Sequence, residues 1–187
     1  MQHVLNELSK LTLLEEEDLK ALQGRITVLE YRKGDVILKQ GQPCHHVYLI
    51  AQGFVRGFYH YRGKDVTTWF AKEYDPITSS HALFTQAPTR EGIETLEETT
   101  LLAINIDHLQ QLYKTHPHLN TLGRVLTERN YLELEDRLFS LQFDSALERY
   151  RKLMTEKPHV LQRAPLGHIA SYLGMSPITL SRMRNRI

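Results

Sequence analysis

Apolar residues recur along this sequence with more than one period. Between Val4 and Leu22, the leucines at Leu5, Leu8, Leu11, Leu14, Leu19 and Leu22 fall at helical spacings, and the acidic run Glu15 to Asp18 suits a helical first turn. One or two short helices are expected there. From Ile26 the period becomes that of strands, at Ile26 to Val28, Val36 to Leu38, Val47 to Ile50, Phe54-Val55 with Phe58-Tyr59, and Val66 to Phe70. Lys33-Gly34-Asp35, Gly41-Gln42-Pro43, Gln52-Gly53 and Arg62-Gly63-Lys64 separate these runs. Short, evenly spaced strands with glycine turns indicate a compact β-sandwich or barrel. After a less regular stretch from Ala71 to Glu91, two further strands are expected near Ile93 to Leu96 and Leu101 to Ile104.

Beyond Ile104 the helical period returns. Asp107 to Tyr113 reads as a short helix with Asn105 or Asp107 near its cap, and Pro117 opens the next. From Leu119 a single long helix is expected, because neither Gly nor Pro interrupts it after Gly123. Along it Leu122, Val125, Arg129, Leu132, Asp136, Phe139 and Phe143 alternate steps of three and four, which is a coiled-coil seam interrupted by Arg129 and Asp136. About 25 residues at 1.5 Å each make a rod of roughly 37 Å, too long for one small β domain to cover. The same helix of a second copy is the simplest partner; burial against its own domain is the other reading of the residues. A second apolar line, Leu134, Leu138 and Leu141, is expected to face the C-terminal region. Asp144 is expected to cap a helix from Ala146 to Met154 that ends at Lys157-Pro158, with Val160 and Leu161 leading onward.

The last stretch, Pro165 to Ile187, reads as two short helices across a sharp turn. Leu166, Ile169, Ala170 and Leu173 form the first apolar stripe, Leu180 and Met183 the second. Gly174 suits the left-handed conformation that ends a helix, Ser176 an N-cap, and Pro177 a first turn. The second helix shows Thr179, Ser181, Arg182, Arg184, Asn185 and Arg186 on its polar positions. Arginines with small hydroxyl residues near a helix start are what a recognition helix entering the DNA major groove needs. An ordinary helical hairpin with a solvated basic face has the same pattern. The sequence ends directly after this helix, so its packing is expected to come from Leu166 to Leu173 and the preceding helix.

Charge adds weight to the nucleic-acid reading. The chain has 187 residues and a formal net charge of +1, but from Ser145 onward eight basic side chains face two acidic ones, a balance of +6 that leaves −5 for the rest. A basic tail on a mildly acidic body fits a polyanion-binding module attached to something with another task. The single cysteine, Cys44, excludes an internal disulfide framework and an iron-sulfur cluster. No charged-then-apolar leader and no apolar run of about 18 residues is present, so a cytoplasmic protein without a membrane partner is expected.

Ten histidines raise the question of a metal, since cupin enzymes share a β-roll frame and hold a metal through several converging ligands. His45 and His46 are adjacent and would point to opposite sides of an extended chain, while His60 and His81 stand alone. No metal site, no cofactor and no enzymatic activity are expected.

Two stretches carry a family resemblance. Tyr31-Arg32-Lys33-Gly34-Asp35-Val36-Ile37, Gln40-Gly41-Gln42-Pro43 and Val47 to Arg56 resemble the N-terminal β-roll of the Crp/Fnr family of bacterial transcription regulators. Ile169, Tyr172, Gly174, Pro177, Thr179, Ser181, Arg182 and Arg184 match the terminal pattern of one branch of that family. The resemblance implies an α+β chain. It would hold an N-terminal double-stranded β-helix (β-roll, cyclic-nucleotide-binding-domain-like) over residues 1–117 with flanking helices, a long dimerisation helix over 118–143, and a small C-terminal all-α helix-turn-helix domain over 144–187. It further implies a cytoplasmic homodimer that regulates transcription on two-fold symmetric double-stranded DNA, with RNA polymerase as a further partner.

By the same resemblance Ser176, Ile178, Thr179, Ser181, Arg182, Arg184 and Arg186 would face DNA, Arg182 reading a guanine and Arg184 and Arg186 taking phosphates. Many relatives carry a cytosine-reading Glu where Ile178 stands, so a different base preference or a thymine-methyl contact is expected there. Leu122, Val125, Arg129, Leu132, Asp136 and Phe139 would form the dimer seam. In the family's phosphate-binding cassette a Gly-Glu step precedes, by about ten residues, an Arg followed by a small hydroxyl residue. Ser79-Ser80 stands at the first step here, and Thr89-Arg90-Glu91 at the second. Arg90 is the one effector-binding candidate; the ribose carboxylate is missing and Glu91 sets an anion beside the phosphate position. Leu122 and Gly123 also lack the hydroxyls that cyclic-AMP binders place nearby. Cyclic AMP is therefore not expected to bind in the family's usual way. Arg90 is expected to pair with Glu91 or another surface acid, and an effector of another kind stays open.

Overall fold

The computed structural model describes residues 1–184. Two short helices open the chain, α1 (Gln2–Leu8) and α2 (Glu16–Gln23), the second begun by a capping box between Glu15 and Asp18. Eight strands follow: β1 (Ile26–Tyr31), β2 (Val36–Leu38), β3 (His46–Gln52), β4 (Val55–Tyr61), β5 (Lys64–Ala71), β6 (Pro76–Ile77), β7 (Gly92–Thr95) and β8 (Thr99–Asn105). They build two antiparallel four-stranded sheets, ordered β1-β8-β3-β6 and β2-β7-β4-β5. This is the expected roll. The irregular stretch between β5 and β7 holds β6 and a six-residue helix, α3 (Ser80–Thr85). Phe54-Val55 and Phe58-Tyr59, read separately in the sequence, lie along or beside the single strand β4.

The roll interior is filled by Leu38, Tyr48, Ile50, Val55, Ile93 and Leu101, with Trp69 packed against them. A second cluster lies outside the β1-β8-β3 sheet, where Leu5, Leu8 and Leu22 from the first two helices meet Leu49 and Leu102. The same cluster takes Leu112 from α4 (Ile106–Thr115), whose N-cap is Asn105, and Leu119 and Leu122 from α5 (Pro117–Phe143). At 27 residues α5 is about 40 Å long. Its first turns are therefore core, and its remaining length projects beyond the roll.

The C-terminal helices are α6 (Ala146–Glu156), α7 (Pro158–Arg163), α8 (Leu166–Tyr172) and α9 (Pro177–Arg184). Ser145, not Asp144, caps α6, because its hydroxyl accepts from the Glu148 N–H while Glu148 returns to the Ser145 N–H; Asp144 accepts from Ser140 instead. The stretch around Val160 is a helix rather than a lead-in, opened by Pro158 at its first position.

These helices do not form a separate core. Phe54 and Leu96 from the roll are buried in one cluster with Tyr150, Leu153, Val160, Ile169 and Leu180. Thr67 of β5 donates its N–H to Ser171 Oγ of α8 at 3.0 Å, and Arg163 of α7 is clamped by Glu73 (2.8 Å) and Glu97 while stacking over Phe54.

Candidate nucleic-acid interface

The α8–α9 hairpin is shaped by its turn. Gly174 adopts φ +66°, a left-handed conformation that a side chain disfavours, and Met175 then donates its N–H to Ala170 O at 3.0 Å. Ser176 Oγ accepts from the Thr179 N–H at 3.1 Å and shares a hydrogen bond with Thr179 Oγ1 at 2.8 Å. The Ser176 and Thr179 hydroxyls thus cap α9 first and remain at its outer rim. Leu180 turns inward onto Ile169, Ala170 and Leu173 and is 1 % exposed. The opposite face of α9 is open: Ile178 is 67 % exposed, and Ser181, Arg182 and Arg184 are exposed with no acidic residue in the first turn. Arg186 lies outside the described residues.

The dimer-seam candidates divide. Leu122 is 6 % exposed and belongs to the chain's own core, and Val125 is half-buried. Arg129, Leu132, Asp136 and Phe139 are exposed, with Leu132 and Phe139 each at 57 %. The seam is thus closed by the chain's own roll at its start and open afterwards. Leu134 and Leu138 are exposed rather than packed on the C-terminal helices, and Leu141 alone of that line approaches Gly174. Arg137 makes that contact instead, donating to Tyr172 O at 2.9 Å with its guanidinium 4.0 Å from the Tyr172 ring centroid.

In the roll, the residues aligned with the phosphate cassette hold one another. Ser79 caps α3 and is fully buried, and Thr89 donates its hydroxyl to Ser79 Oγ at 2.7 Å. Glu91 is 7 % exposed and accepts the Trp69 indole N–H at 2.9 Å. Burial pushes its carboxyl above the usual carboxylate range, and hydrogen bonds from Trp69 and Ser79 oppose that only in part. Trp69 lies flat over Gly57, where any side chain would run into the indole. Glu91 thus points inward, and the expected Arg90–Glu91 pair does not form: Arg90 is exposed and pairs with no carboxylate among the described residues. Both lie in the bend that leads into β7, with Glu91 turned onto Trp69 and Arg90 left at the surface.

Sequence reasoning missed a buried cluster on the other side of β4. Arg56 is 2 % exposed and gives both terminal nitrogens to Asp65 (2.5 and 2.6 Å), Nε to Glu94 (2.6 Å) and Nη1 to Thr67 (2.8 Å). The strand register, which the structure supplies, sets Arg56 opposite Glu94. His168 of α8 lies against this cluster, and its Nδ1 is buried without a hydrogen-bond partner among the described residues.

Residues 28–116 match the family model of the cyclic nucleotide-binding domain. The fold extends that likeness along the chain. FixK2 from Bradyrhizobium japonicum superposes with a TM-score of 0.75 at 22% identity, over 86% of this chain and 83% of its own. The c-di-GMP-responsive global regulator CLP of Xanthomonas campestris gives 0.72 at 16% identity, over 92% and 91%. The catabolite activator protein of Thermus thermophilus gives 0.62 at 22%, over 96% and 85%. No curated protein matches the sequence significantly. The architecture is thus that of Crp/Fnr regulator structures: a cyclic nucleotide-binding-like roll, a long helix and C-terminal helices. Among the described residues no helix is long and apolar enough to cross a membrane, and no three His, Cys, Asp or Glu side chains are grouped to hold a metal ion.

Proposed function

We propose that this chain is a sequence-specific DNA-binding transcription regulator, acting as a homodimer on a two-fold symmetric site rather than as an enzyme. The observation that carries the proposal is the open face of α9, where Ile178, Ser181, Arg182 and Arg184 stand clear of the helix-turn-helix core. Each α9 enters one major groove, with half-site centres about 34 Å apart. Arg182 reads a base edge as a bidentate fork, Ile178 meets a thymine methyl, Thr179 and Ser181 reach phosphate or methyl groups, and Arg184 and Arg186 take phosphates.

Dimerisation runs along α5, over Arg129, Leu132, Asp136 and Phe139, and continues at Phe143, which is 68 % exposed. A long helix with so much exposed apolar surface is itself a reason to expect a partner. We take residues 1–117, 118–143 and 144–187 as the sensing, dimerisation and DNA-binding units.

The roll does not hold cyclic AMP in the family's usual way. Glu91 and Trp69 occupy each other, and a carboxylate beside the phosphate position repels a second anion. A mobility-shift titration at low salt, with excess random DNA as competitor, tests the function: two chains should be retained per specific duplex. Equal retention of all sequences would refute it.

A further inference from the structure

The turn that launches α9 is also held from the side of α5. Carbonyl groups at a helix C-terminus lack intrahelical partners and carry partial negative charge. At the end of α8 two of them meet guanidinium groups. Arg137 of α5 donates to Tyr172 O at 2.9 Å, and Arg149 of α6 donates Nε to Leu173 O at 2.8 Å. The same Arg149 donates Nη1 to Asp144 O at 2.6 Å, the residue that closes α5. One planar fork thus joins the C-cap of the long helix to the turn between α8 and α9. Leu141 completes the contact, since a methyl group added at Gly174 would lie 3.3 Å from Leu141 Cδ2.

Neither arginine has a carboxylate partner among the described residues. Burial lowers the pKa of Arg137; Tyr172 opposes that in part, and the neighbouring Arg149 adds a smaller lowering. A guanidinium desolvated in this way is a poor choice for filling space, because an apolar side chain would do so at less cost. What the pair achieves is directional: hydrogen bonds that fix the turn in orientation and distance relative to α5. The other link to α5, Lys157 to Glu133 at 3.1 Å, is largely exposed on its Glu side and contributes little. Ser171 and Arg163 tie the module to the roll, not to α5.

We infer that Arg137 and Arg149 are positioning residues that lock the α8–α9 turn to the end of the dimerisation helix, and so set the separation and angle of the two recognition helices. The inference rests on the proposed function. Base preference within a half-site comes from the side chains of α9, whereas the preferred distance between half-sites comes from where the two α9 helices are held. Loosening the lock therefore removes spacing discrimination and leaves half-site reading in place.

The test uses the full-length wild-type dimer and the Arg137→Ala/Arg149→Ala double variant. Each is offered a duplex pool in which the wild type's selected half-site is fixed and the spacer length varies. The wild type should favour one spacing by about tenfold or more over a spacing half a helical turn away, and the variant by no more than about twofold. Affinity for an isolated half-site should change less than about twofold. Thermal unfolding and sedimentation establish that the variant is folded and dimeric; should it not fold, Arg149→Lys, which cannot span both carbonyls, takes its place. A folded dimeric variant that keeps its spacing preference would overturn the inference, and so would one with an altered base preference. A wild type without any base preference would instead overturn the DNA-reading function, and the inference with it.

Discussion

The Trp69 indole N–H donates to the Glu91 carboxyl at 2.9 Å, so a buried acid and a half-buried donor satisfy each other at the stretch that resembles a phosphate-binding cassette. Calorimetric titration of the protein with cyclic AMP is expected to show no binding at micromolar concentrations. Saturable heat in that range would remove the self-occupied roll from the account.

The same carboxyl has a pH signature. Burial raises the Glu91 pKa above its usual 4.5, so the folded protein keeps this proton to a higher pH than the unfolded chain. Its stabilising contribution is full below pH 4.5 and lost as pH rises through the raised value. Glu91→Gln retains an acceptor for Trp69 and has no charge to desolvate. Its melting temperature should therefore gain on the wild type between pH 4 and pH 8; a constant difference would contradict the buried assignment.

Docking of the C-terminal helices on the roll should weaken in acid in two stages. His168 is held below its usual pKa of 6.5 by burial and then by Arg56, with Glu94 and Asp65 opposing, so its contribution is present above pH 6.5 and declines below it. Glu73 is held at about 2, chiefly by its hydrogen bonds from Arg163, so its contribution is present above 4.5 and lost as pH falls toward 2. Denaturant titrations should show Arg163→Ala less stable than wild type by about 1 to 3 kcal/mol at pH 7, with the gap closing by pH 2.5. An unchanged gap at low pH would argue against the clamp.

Leu122 and Leu132 share a heptad seam in sequence but should behave oppositely on substitution. Leu122→Ala opens a cavity in the chain's own core and is expected to cost about 2 to 5 kcal/mol of folding stability. Leu132→Asp and Phe139→Asp alter exposed positions, so the monomer fold should hold while an unpaired charge in the interface weakens the dimer by about 100-fold or more. Sedimentation equilibrium and thermal unfolding separate the two; dimers of Leu132→Asp as tight as wild type would place the interface elsewhere.

Periodicity and turn residues made most of the fold legible. Gly174, Ser176 and Pro177 announced the terminal hairpin because each answers a backbone requirement that few other residues meet. The roll interior was less legible. Spacing says that Leu122 lies on an apolar stripe but not which surface covers it, and a Glu beside an Arg reads as a surface pair until the bend before β7 turns the Glu onto Trp69. Arg56 escaped notice because a buried arginine becomes interpretable only once register sets Glu94 opposite it and the Asp65 carboxylate reaches its terminal nitrogens.

Arg182 and Arg184 should differ in kind. Arg182→Ala is expected to lose about 1 to 3 kcal/mol of discrimination at one base pair, seen as a relaxed preference at that position in competition shifts. Arg184→Ala should weaken all sequences alike and make the slope of log K against log salt shallower by about one. The reverse pattern would exchange their roles.

The most direct measurement is the set of duplexes that the purified protein enriches from a random DNA pool. The expected result is a palindrome with half-site centres one helical turn apart, about 34 Å. Enrichment of no sequence over the input pool, at low salt and with the protein dimeric, would contradict the central claim that this chain reads DNA.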